Sequence, residues 1–409
     1  MSRKYKDSNS YIYALFKKYY CRDFVPFKIK DFTRREFAFI PFQSKGMIRH
    51  IAFNTEKELM NYLCRKTPAH AYYSSAYYEK PYLEYMGQKG WIGADLVFDI
   101  DADHINTPCK LEHDWWYCPR CKSMGWGPAD VCKKCNYDKI EKYSWVCESC
   151  LTTALNHLIR LIQILENDFG LSKKNMEIFF SGHRGFHLHI TDKNVINLDQ
   201  EARREIAEYV MGFGIDLSVF LTKSGKYSKL KTSINSPGWG GRAARELLDL
   251  VYSNNFVDIA NKLGLSQQGI DTIMKWVNNP YSQDMFELNK KDYEKLLNYI
   301  IKNIAVEIDE RVTIDTKRLI RLPNSLHGKT GLKVSLLHMQ DLTTLRVLNK
   351  ARVFNEASIR LFAKIVPKKV LDWEFKEYGL INKTIKLPAY IGLYLLLNGG
   401  NNFRLISID

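Results

Sequence analysis

Residues 95–103 alternate between carboxylates and apolar side chains, and this pattern constrains the fold more than any other in the chain. Successive side chains point to opposite faces of a β-strand, so the segment predicts a strand with one apolar and one acidic face. The apolar positions are Leu96, Phe98, Ile100 and Ala102, and the acidic positions are Asp95, Asp99, Asp101 and Asp103. Neighbouring carboxylates repel, and their oxygens suit Mg2+ or Mn2+, so a divalent metal ion is the simplest compensation. The alternative is a solvated strand face without a ligand.

Charge indicates the kind of partner. The chain has 409 residues and a formal net charge of +15, from 60 Lys and Arg against 45 Asp and Glu. This excess favours a polyanion such as nucleic acid, and a charge that only aids solubility is the alternative. The N-terminal segment is polar and basic, and no run approaches the roughly 20 apolar residues that a membrane helix needs. We therefore expect a cytoplasmic protein without membrane contact, whose nine cysteines serve purposes other than disulfides.

Helical and strand-like patterns alternate along the chain, which predicts a mixed α/β (α+β) fold. A cysteine-rich stretch and a mostly helical stretch interrupt the strand-like sequence. We predict a core made of residues 1–108, 151–240 and 304–409, a zinc-binding insert at 109–150, and a small helical subdomain at 241–303.

The cysteine-rich stretch contains two Cys-x2-Cys pairs separated by ten residues, a spacing typical of a zinc site. The predicted ligands are Cys118, Cys121, Cys132 and Cys135. Four thiolates fill a tetrahedral coordination sphere and leave no position for water, so this Zn2+ is expected to be structural.

The remaining cysteines have less specific patterns. Cys147 and Cys150 form a third pair, and Cys109 and His113 lie nearby in the sequence. These residues could exchange with the first four as ligands, but we favour buried thiols at the start of the following helix. The other two, Cys21 and Cys64, are expected to be small core residues.

Two basic turns have the chemistry of phosphate binding. In the first, Ser181 and Arg184 could donate to phosphate oxygens, and His187 opens the next strand and can point into the same cleft. An ordinary polar hairpin turn is the alternative. The second turn contains Arg321 and His327.

The second turn follows residues 307–315, which predict another strand with carboxylates on one face. Asp309 and Asp315 share that face. A metal-bound triphosphate requires acidic residues for the metal ion beside basic residues for the phosphates. The alternative is that these acidic and basic residues simply pair with each other. The two acidic segments and two basic turns together favour nucleotide chemistry.

Three motifs, in this order along the chain, resemble the catalytic small subunit of the archaeal–eukaryotic DNA primase, and the archaeal type fits best. They are Phe98-Asp99-Ile100-Asp101, Ser181-Gly182-x-Arg184-Gly185-x-His187, and Arg318-Leu319-Ile320-Arg321-Leu322-Pro323-x-Ser325-x-His327. The resemblance covers most of residues 10–340 and implies a primase catalytic core with a zinc-binding insert. It also implies a large-subunit partner, which would carry an iron–sulfur cluster, and single-stranded DNA and nucleoside triphosphates as ligands.

The resemblance assigns roles to individual residues. Asp99 and Asp101 match the metal-binding pair, and spacing back from the proline makes Asp309 the third carboxylate, with Asp315 as the competitor. The expected nucleotide-binding residues are Ser181, Arg184, His187, Arg321 and His327. Two departures are His183, where some members have Arg, and a helical insert longer than a minimal archaeal subunit carries.

The implied activity is synthesis of short primers on single-stranded DNA by two-metal nucleotidyl transfer. Three alternatives remain at this point. They are a primase-polymerase that mainly extends or repairs strands, a metal-dependent nuclease or phosphohydrolase, and a non-catalytic zinc protein that binds nucleic acid. The preference for ribo- or deoxynucleotides and the length of the primers stay open.

Overall fold

The structure is a computed structural model that describes residues 7–42, 44, 46–279, 285–355 and 357–408. Helices and strands are interspersed, as the mixed α/β prediction requires. Helices α1 to α12 are Ser8–Lys18, Glu56–Lys66, Lys110–His113, Glu148–Phe169, Gln200–Val210, Gly238–Val251, Phe256–Lys262, Gln267–Val277, Lys290–Ile304, Glu310–Ile314, Thr344–Ala351 and Ala389–Asn398. Among the described residues, no helix is long and apolar enough to cross a membrane.

Strands β1 to β21 follow in chain order. They are Phe37–Ile40, Ile48–Ile51, His70–Ser74, Ala76–Tyr78, Trp91–Ala94, Leu96–Asp101, Trp115–Tyr117, Met124–Trp126, Glu141–Tyr143, Met176–Phe180, Gly185–Ile190, Leu221–Ser224, Tyr227–Leu230, Glu287–Leu288, Leu319–Arg321, Ser335–Leu337, Ser358–Val366, Lys369–Val370, Trp373–Glu374, Gly379–Pro388 and Phe403–Ile408.

The chain divides into two compact units. The first comprises residues 1–158, 174–203 and 308–409, and the second comprises residues 159–173 and 204–307. The second unit therefore includes the stretch predicted to be a helical subdomain. Its helices α6 and α9 pack around a buried apolar cluster, and Arg242 of α6 forms an ion pair with Asp168 at 2.5 Å.

One sheet of the first unit carries the acidic strand. Its order is β16-β10-β11-β6, and each neighbouring pair is antiparallel. The register places His187 of β11 opposite Asp99 of β6, and Gly185 opposite Asp101. Every residue of β11 is buried, so the sheet is covered at this strand. The acidic strand and the first basic turn are therefore neighbours in space, although Asp101 and Ser181 are remote from each other in the sequence.

A second sheet of the first unit carries the last motif. Its order is β15-β3-β1-β2, and Arg321 of β15 lies opposite Tyr72 of β3. The first residue of β3, His70, pairs with Ile40 at the end of β1. Beyond β15, the Asn324 carbonyl accepts a hydrogen bond from the Tyr19 hydroxyl at 2.6 Å, which ties the second basic turn to the N-terminal segment.

The N-terminal segment contains a pairing that the sequence analysis did not anticipate. Cys21 and Cys64 were expected in the core, but Cys21 is exposed, Cys64 is half-buried, and their sulfurs form a disulfide. Cys21 lies in a π-helix directly after α1, and Cys64 lies in α2. The prediction was wrong because two cysteines 43 residues apart carry no local signal of their contact.

The predicted strand at residues 307–315 was also wrong, because its central residues form the short helix α10. Asp309 is the N-cap of this helix, and its carboxylate accepts a hydrogen bond from the Arg311 amide at 3.1 Å. A carboxylate at an N-cap satisfies a backbone donor that would otherwise lack a partner, which favours a helix start over an extended strand.

The hairpin between β10 and β11 requires glycine for close backbone approach. A Cβ atom at Gly185 would lie 1.9 Å from the Ile100 carbonyl oxygen of β6. At Gly182, a φ of +77° places the backbone in the left-handed region that favours glycine.

We predict that Gly185→Ala destabilises the protein by at least about 2 kcal/mol, since the backbone of β6 must move to admit the methyl group. Gly87→Ala is the matched control, because a Cβ there meets nothing within 4 Å, and it should change stability by less than about 0.5 kcal/mol. Chemical denaturation measures both variants, and equal stabilities would contradict the tight β6–β11 packing.

Candidate active site and metal sites

The structure brings Asp309 next to the acidic strand. The Asp309 amide donates to the Asp99 carbonyl oxygen at 2.8 Å, and α10 packs against β6. Asp101 lies two residues further along β6, and its carboxylate accepts a hydrogen bond from the Asp103 amide at 2.9 Å. The competitor Asp315 lies at the other end of α10, where its carboxylate accepts from the Lys317 amide at 2.8 Å.

The other two carboxylates of the acidic segment have cationic partners. Asp95 is buried in an ion pair with Arg35 at 2.8 Å and accepts a hydrogen bond from the Tyr77 hydroxyl. Asp103 pairs with Arg184. The idea that one metal ion compensates the whole acidic face was therefore wrong, since arginines compensate its two ends.

The pKa values of Asp99 and Asp101 are both raised above the ordinary value for an aspartate. Burial, followed by the charge of Asp309, raises the pKa of Asp99 to about 6, although Arg318 acts in the opposite direction. Burial also raises the pKa of Asp101. Carboxylates in such an environment gain from a cation that replaces their lost solvation, and Asp309 lies near enough for its charge to act on Asp99. Carboxylate oxygens are the kind of ligand that a hard divalent ion such as Mg2+ or Mn2+ prefers.

The first basic turn lies beside these carboxylates. The Ser181 side-chain oxygen accepts from the amides of His183 and Gly185, both at 3.3 Å, so its proton is available for a ligand. Arg184 is buried and bonded both to Asp103 and to the Ser144 carbonyl oxygen, at 3.1 Å for the latter. This guanidinium is therefore already oriented, and within the described part of the chain its buried Nε atom has no hydrogen-bond partner, so a donor remains for a ligand.

His187 directly adjoins the acidic strand. Its Nε2 atom lies 3.5 Å from an Asp99 carboxylate oxygen, and its buried Nδ1 atom has no hydrogen-bond partner among the described residues. Burial, followed by the charge of Arg321, lowers the pKa of His187 to about 3, so the ring is neutral at physiological pH. A neutral ring offers a single N–H donor, and its other nitrogen can only accept a hydrogen bond.

The second basic turn meets the first. The Thr330 hydroxyl donates to the Gly182 carbonyl oxygen at 2.5 Å, and the rings of His183 and His327 stack with centroids 4.6 Å apart. The Lys329 amide donates to His327 Nδ1 at 3.3 Å, which places the ring proton on Nε2. Arg321 lies over the Tyr72 ring, 4.8 Å from its centroid. The turns thus form one cationic cluster beside the carboxylates.

Sequence reasoning missed His70 and Tyr72, which both contact Arg321. They share strand parity on β3, and neither belongs to a motif. Their shared face was the only signal in the sequence, and it does not reveal that β15, which carries Arg321, is the strand paired with β3.

The insert contains two groups that could hold a metal ion such as zinc. The first is the predicted group of Cys118, Cys121, Cys132 and Cys135, whose ligand atoms lie within 4.8 Å of one another. Its two knuckles have matching geometry: the Lys122 amide donates to the Cys118 carbonyl and the Asn136 amide donates to the Cys132 carbonyl, both at 2.9 Å. Lys122 and Asn136 also share a positive φ.

The second group contains Cys109, His113, Cys147 and Cys150, again within 4.8 Å of one another. Our preferred interpretation of Cys147 and Cys150 as ordinary buried thiols missed this grouping, because the two halves lie on either side of the first group in sequence. His113 Nδ1 lies 2.8 Å from an Asp114 carboxylate oxygen, the kind of contact that orients a metal-binding imidazole. Each group offers four soft or borderline ligands, which suits a closed zinc site.

Comparisons with known proteins agree with this geometry. The family model described as DNA primase small subunit matches residues 136–337. DNA primase small subunit PriS of Methanothrix thermoacetophila is 30% identical over 96% of this chain and 98% of its own length. PriS of Saccharolobus solfataricus is 34% identical over 94% and 93%, and PriS of Nitrosopumilus maritimus is 29% identical over 94% and 96%, respectively.

A nearly full-length match of this kind, with the site described above, defines a nucleotidyltransferase of the DNA primase class. The chain belongs to the DNA primase small-subunit family and is of the archaeal type.

We predict that Asp99→Asn stabilises the protein at pH 7.5, without Mg2+ or Mn2+, by up to about 2 kcal/mol. The folded pKa is above the ordinary value, so ionisation of Asp99 costs stability as pH rises through this range. The gain should shrink between pH 6 and pH 4, where wild-type Asp99 takes up its proton. Denaturant titrations across pH measure this difference, and a gain that does not vary with pH would contradict the assignment.

We predict that the purified chain binds zinc in both cysteine groups, and that Cys132→Ser and Cys150→Ser each remove one of the two ions. Elemental analysis of the folded variants measures the zinc content per chain. The free energy of unfolding should fall in both variants, because metal binding stabilises the folded state. Loss of both ions in either variant would contradict two separate sites.

Proposed function

We propose that this chain is the catalytic subunit that synthesises short primers de novo on single-stranded DNA, by nucleotidyl transfer at a two-metal site. The observation that best supports this is the hydrogen bond from the Asp309 amide to the Asp99 carbonyl oxygen, at 2.8 Å. It draws a third carboxylate to the acidic pair beside two basic turns. This combination serves a reaction in which a hydroxyl attacks a metal-bound triphosphate.

Asp99, Asp101 and Asp309 would hold two Mg2+ or Mn2+ ions. When bound, these ions make the attacking 3′-hydroxyl more acidic and stabilise the pyrophosphate that leaves. The raised pKa values of Asp99 and Asp101 mean that ion binding requires loss of their protons. The chain's own contribution is to fix these oxygens on β6 and at the start of α10.

The triphosphate would lie between the two basic turns. Ser181 and the Nε2–H of His327 would donate to its oxygens, and Arg321 would supply charge. Arg184 would donate its remaining Nε–H to a phosphate oxygen, while Asp103 and the Ser144 carbonyl continue to orient it. His187 would remain neutral beside Asp99. Such preorganised donors stabilise charge that develops during transfer.

Starting a strand without a primer requires that two nucleotides be held mainly through their phosphates. The cluster of Arg184, Arg321 and His327 supports this requirement, and the net charge of +15 supports contact with a DNA template. The relatives are named small subunits, and we propose that this chain likewise works as a heterodimer with a primase large subunit. The zinc ions of the insert would be structural.

We predict that Asp99→Ala and Asp101→Ala abolish product formation, and that Asp309→Asn lowers kcat at least about 100-fold. Asp315→Asn is the matched control. It retains an acceptor for the Lys317 amide and should keep most of the activity. The assay supplies single-stranded DNA, labelled nucleotides and Mn2+, with and without a large subunit.

The same assay with and without an annealed primer separates priming from extension. Products that appear only with a primer would favour a primase-polymerase that mainly extends strands. Full activity of Asp99→Ala, or equal losses in Asp309→Asn and Asp315→Asn, would contradict the proposed site.

A further inference from the structure

His70, the first residue of β3, lies outside the sequence motifs but contacts two parts of the second basic turn. Its Nδ1 atom is 2.5 Å from an Arg321 guanidinium nitrogen and accepts a hydrogen bond from the Gly328 amide at 3.2 Å. Arginine can only donate, so Nδ1 acts as an acceptor and the ring is neutral with its proton on Nε2. One imidazole therefore joins the guanidinium to the backbone that follows His327.

The fit between His70 and the turn is close. A Cβ atom at Gly328 would lie 2.9 Å from both Cε1 and Nε2 of His70, so the ring lies directly against the glycine. The His70 ring also meets the His327 ring edge-on, with centroids 5.0 Å apart. A change in the position of His70 would therefore move both Arg321 and the start of the turn.

The groups in direct contact with Arg321 are uncharged, although the charge of Asp99 also acts on it from further away. They are the Tyr72 ring face and His70 Nδ1, and among the described residues no carboxylate forms an ion pair with Arg321. Arg184 differs, because it is paired with Asp103. A carboxylate would bind Arg321 more tightly, but it would neutralise the charge that a triphosphate needs.

The groups around His70 also favour its neutral form. Arg321 and Lys329 are cationic, and the rings of His327 and His183 complete this side of the cluster. Burial, followed by the charges of Arg321 and Lys329, lowers the pKa of His70 to about 3. A proton on Nδ1 would face the guanidinium directly, so the contact excludes the imidazolium.

We infer that His70 is a positioning residue of the nucleotide site: its neutral acceptor orients Arg321 and the Gly328 amide while leaving the full charge of Arg321 available to the triphosphate. This inference rests on the proposed function. It explains why position 70, which lies outside the motifs, is a histidine rather than an aspartate. An aspartate could accept the same two hydrogen bonds, but it would add a negative charge beside Arg321.

Asn and Asp at position 70 provide the test, because they have the same shape and differ in charge. Asn places a neutral oxygen near the position of Nδ1, whereas Asp places a carboxylate there. A cavity of about 650 Å³ borders His70 and Gly328 and leaves room for either side chain. Thermal unfolding of both variants checks that they fold.

The measurements are KM and kcat for nucleotide, with the large subunit and Mn2+ present, and inhibition by inorganic tripolyphosphate. We expect His70→Asp to raise KM and the tripolyphosphate inhibition constant at least about 10-fold, with a much smaller change in kcat. His70→Asn should recover most of that loss. In an Arg321→Gln background, His70→Asp should add a much smaller further penalty, because the guanidinium in direct contact is gone and only the charge of Lys329 remains.

Equal effects of His70→Asn and His70→Asp, or a full Asp penalty in the Arg321→Gln background, would overturn the inference. The proposed function fails separately, if the wild-type complex makes no primer on single-stranded DNA. Direct binding of tripolyphosphate to the wild type and the two variants then still tests His70, since that measurement requires no catalysis.

Discussion

The antiparallel pairing of β6 with β11 positions most of the candidate active site. It places His187 opposite Asp99 and Gly185 opposite Asp101, so the first basic turn begins where the acidic strand ends. Gly185 allows this approach, because any side chain there would meet the Ile100 carbonyl. The hydrogen bond from the Asp309 amide to Asp99 then attaches α10 to the same strand, and with it the third carboxylate.

The four carboxylates of the acidic segment differ in whether an arginine pairs with them. Arg35 neutralises Asp95 and Arg184 neutralises Asp103, whereas Asp99 and Asp101 lie between them with raised pKa values. Burial of uncompensated carboxylates is unfavourable for the free protein, and it is the condition under which a bound cation gains most. Among the basic residues, Arg321 likewise has no ion-pair partner among the described residues. It is held by the face of the Tyr72 ring and the neutral imidazole of His70. In the proposed function, both arrangements would leave charge available for a metal-bound triphosphate.

The cysteine insert shows how sequence distance limits inference. Cys118, Cys121, Cys132 and Cys135 form two short local pairs, and their spacing alone predicted one metal site. The second group joins Cys109 and His113 to Cys147 and Cys150 across the whole first group, so neither short pair shows by itself which residues complete the group. The Cys21–Cys64 disulfide has the same character, since it joins α2 to the segment after α1.

The sequence by itself determined the features that repeat over a few residues: the acidic strand around Asp99 and Asp101, the two basic turns, and the first cysteine group. Strand alternation and ligand spacing are local properties, so they can be recognised without a fold. Tertiary structure alone decided that Asp309 rather than Asp315 adjoins Asp99, that Arg35 and Arg184 compensate the ends of the acidic segment, and that His70 contacts Arg321. These contacts join elements remote in sequence, and their partners follow from how strands and helices pack rather than from any local pattern.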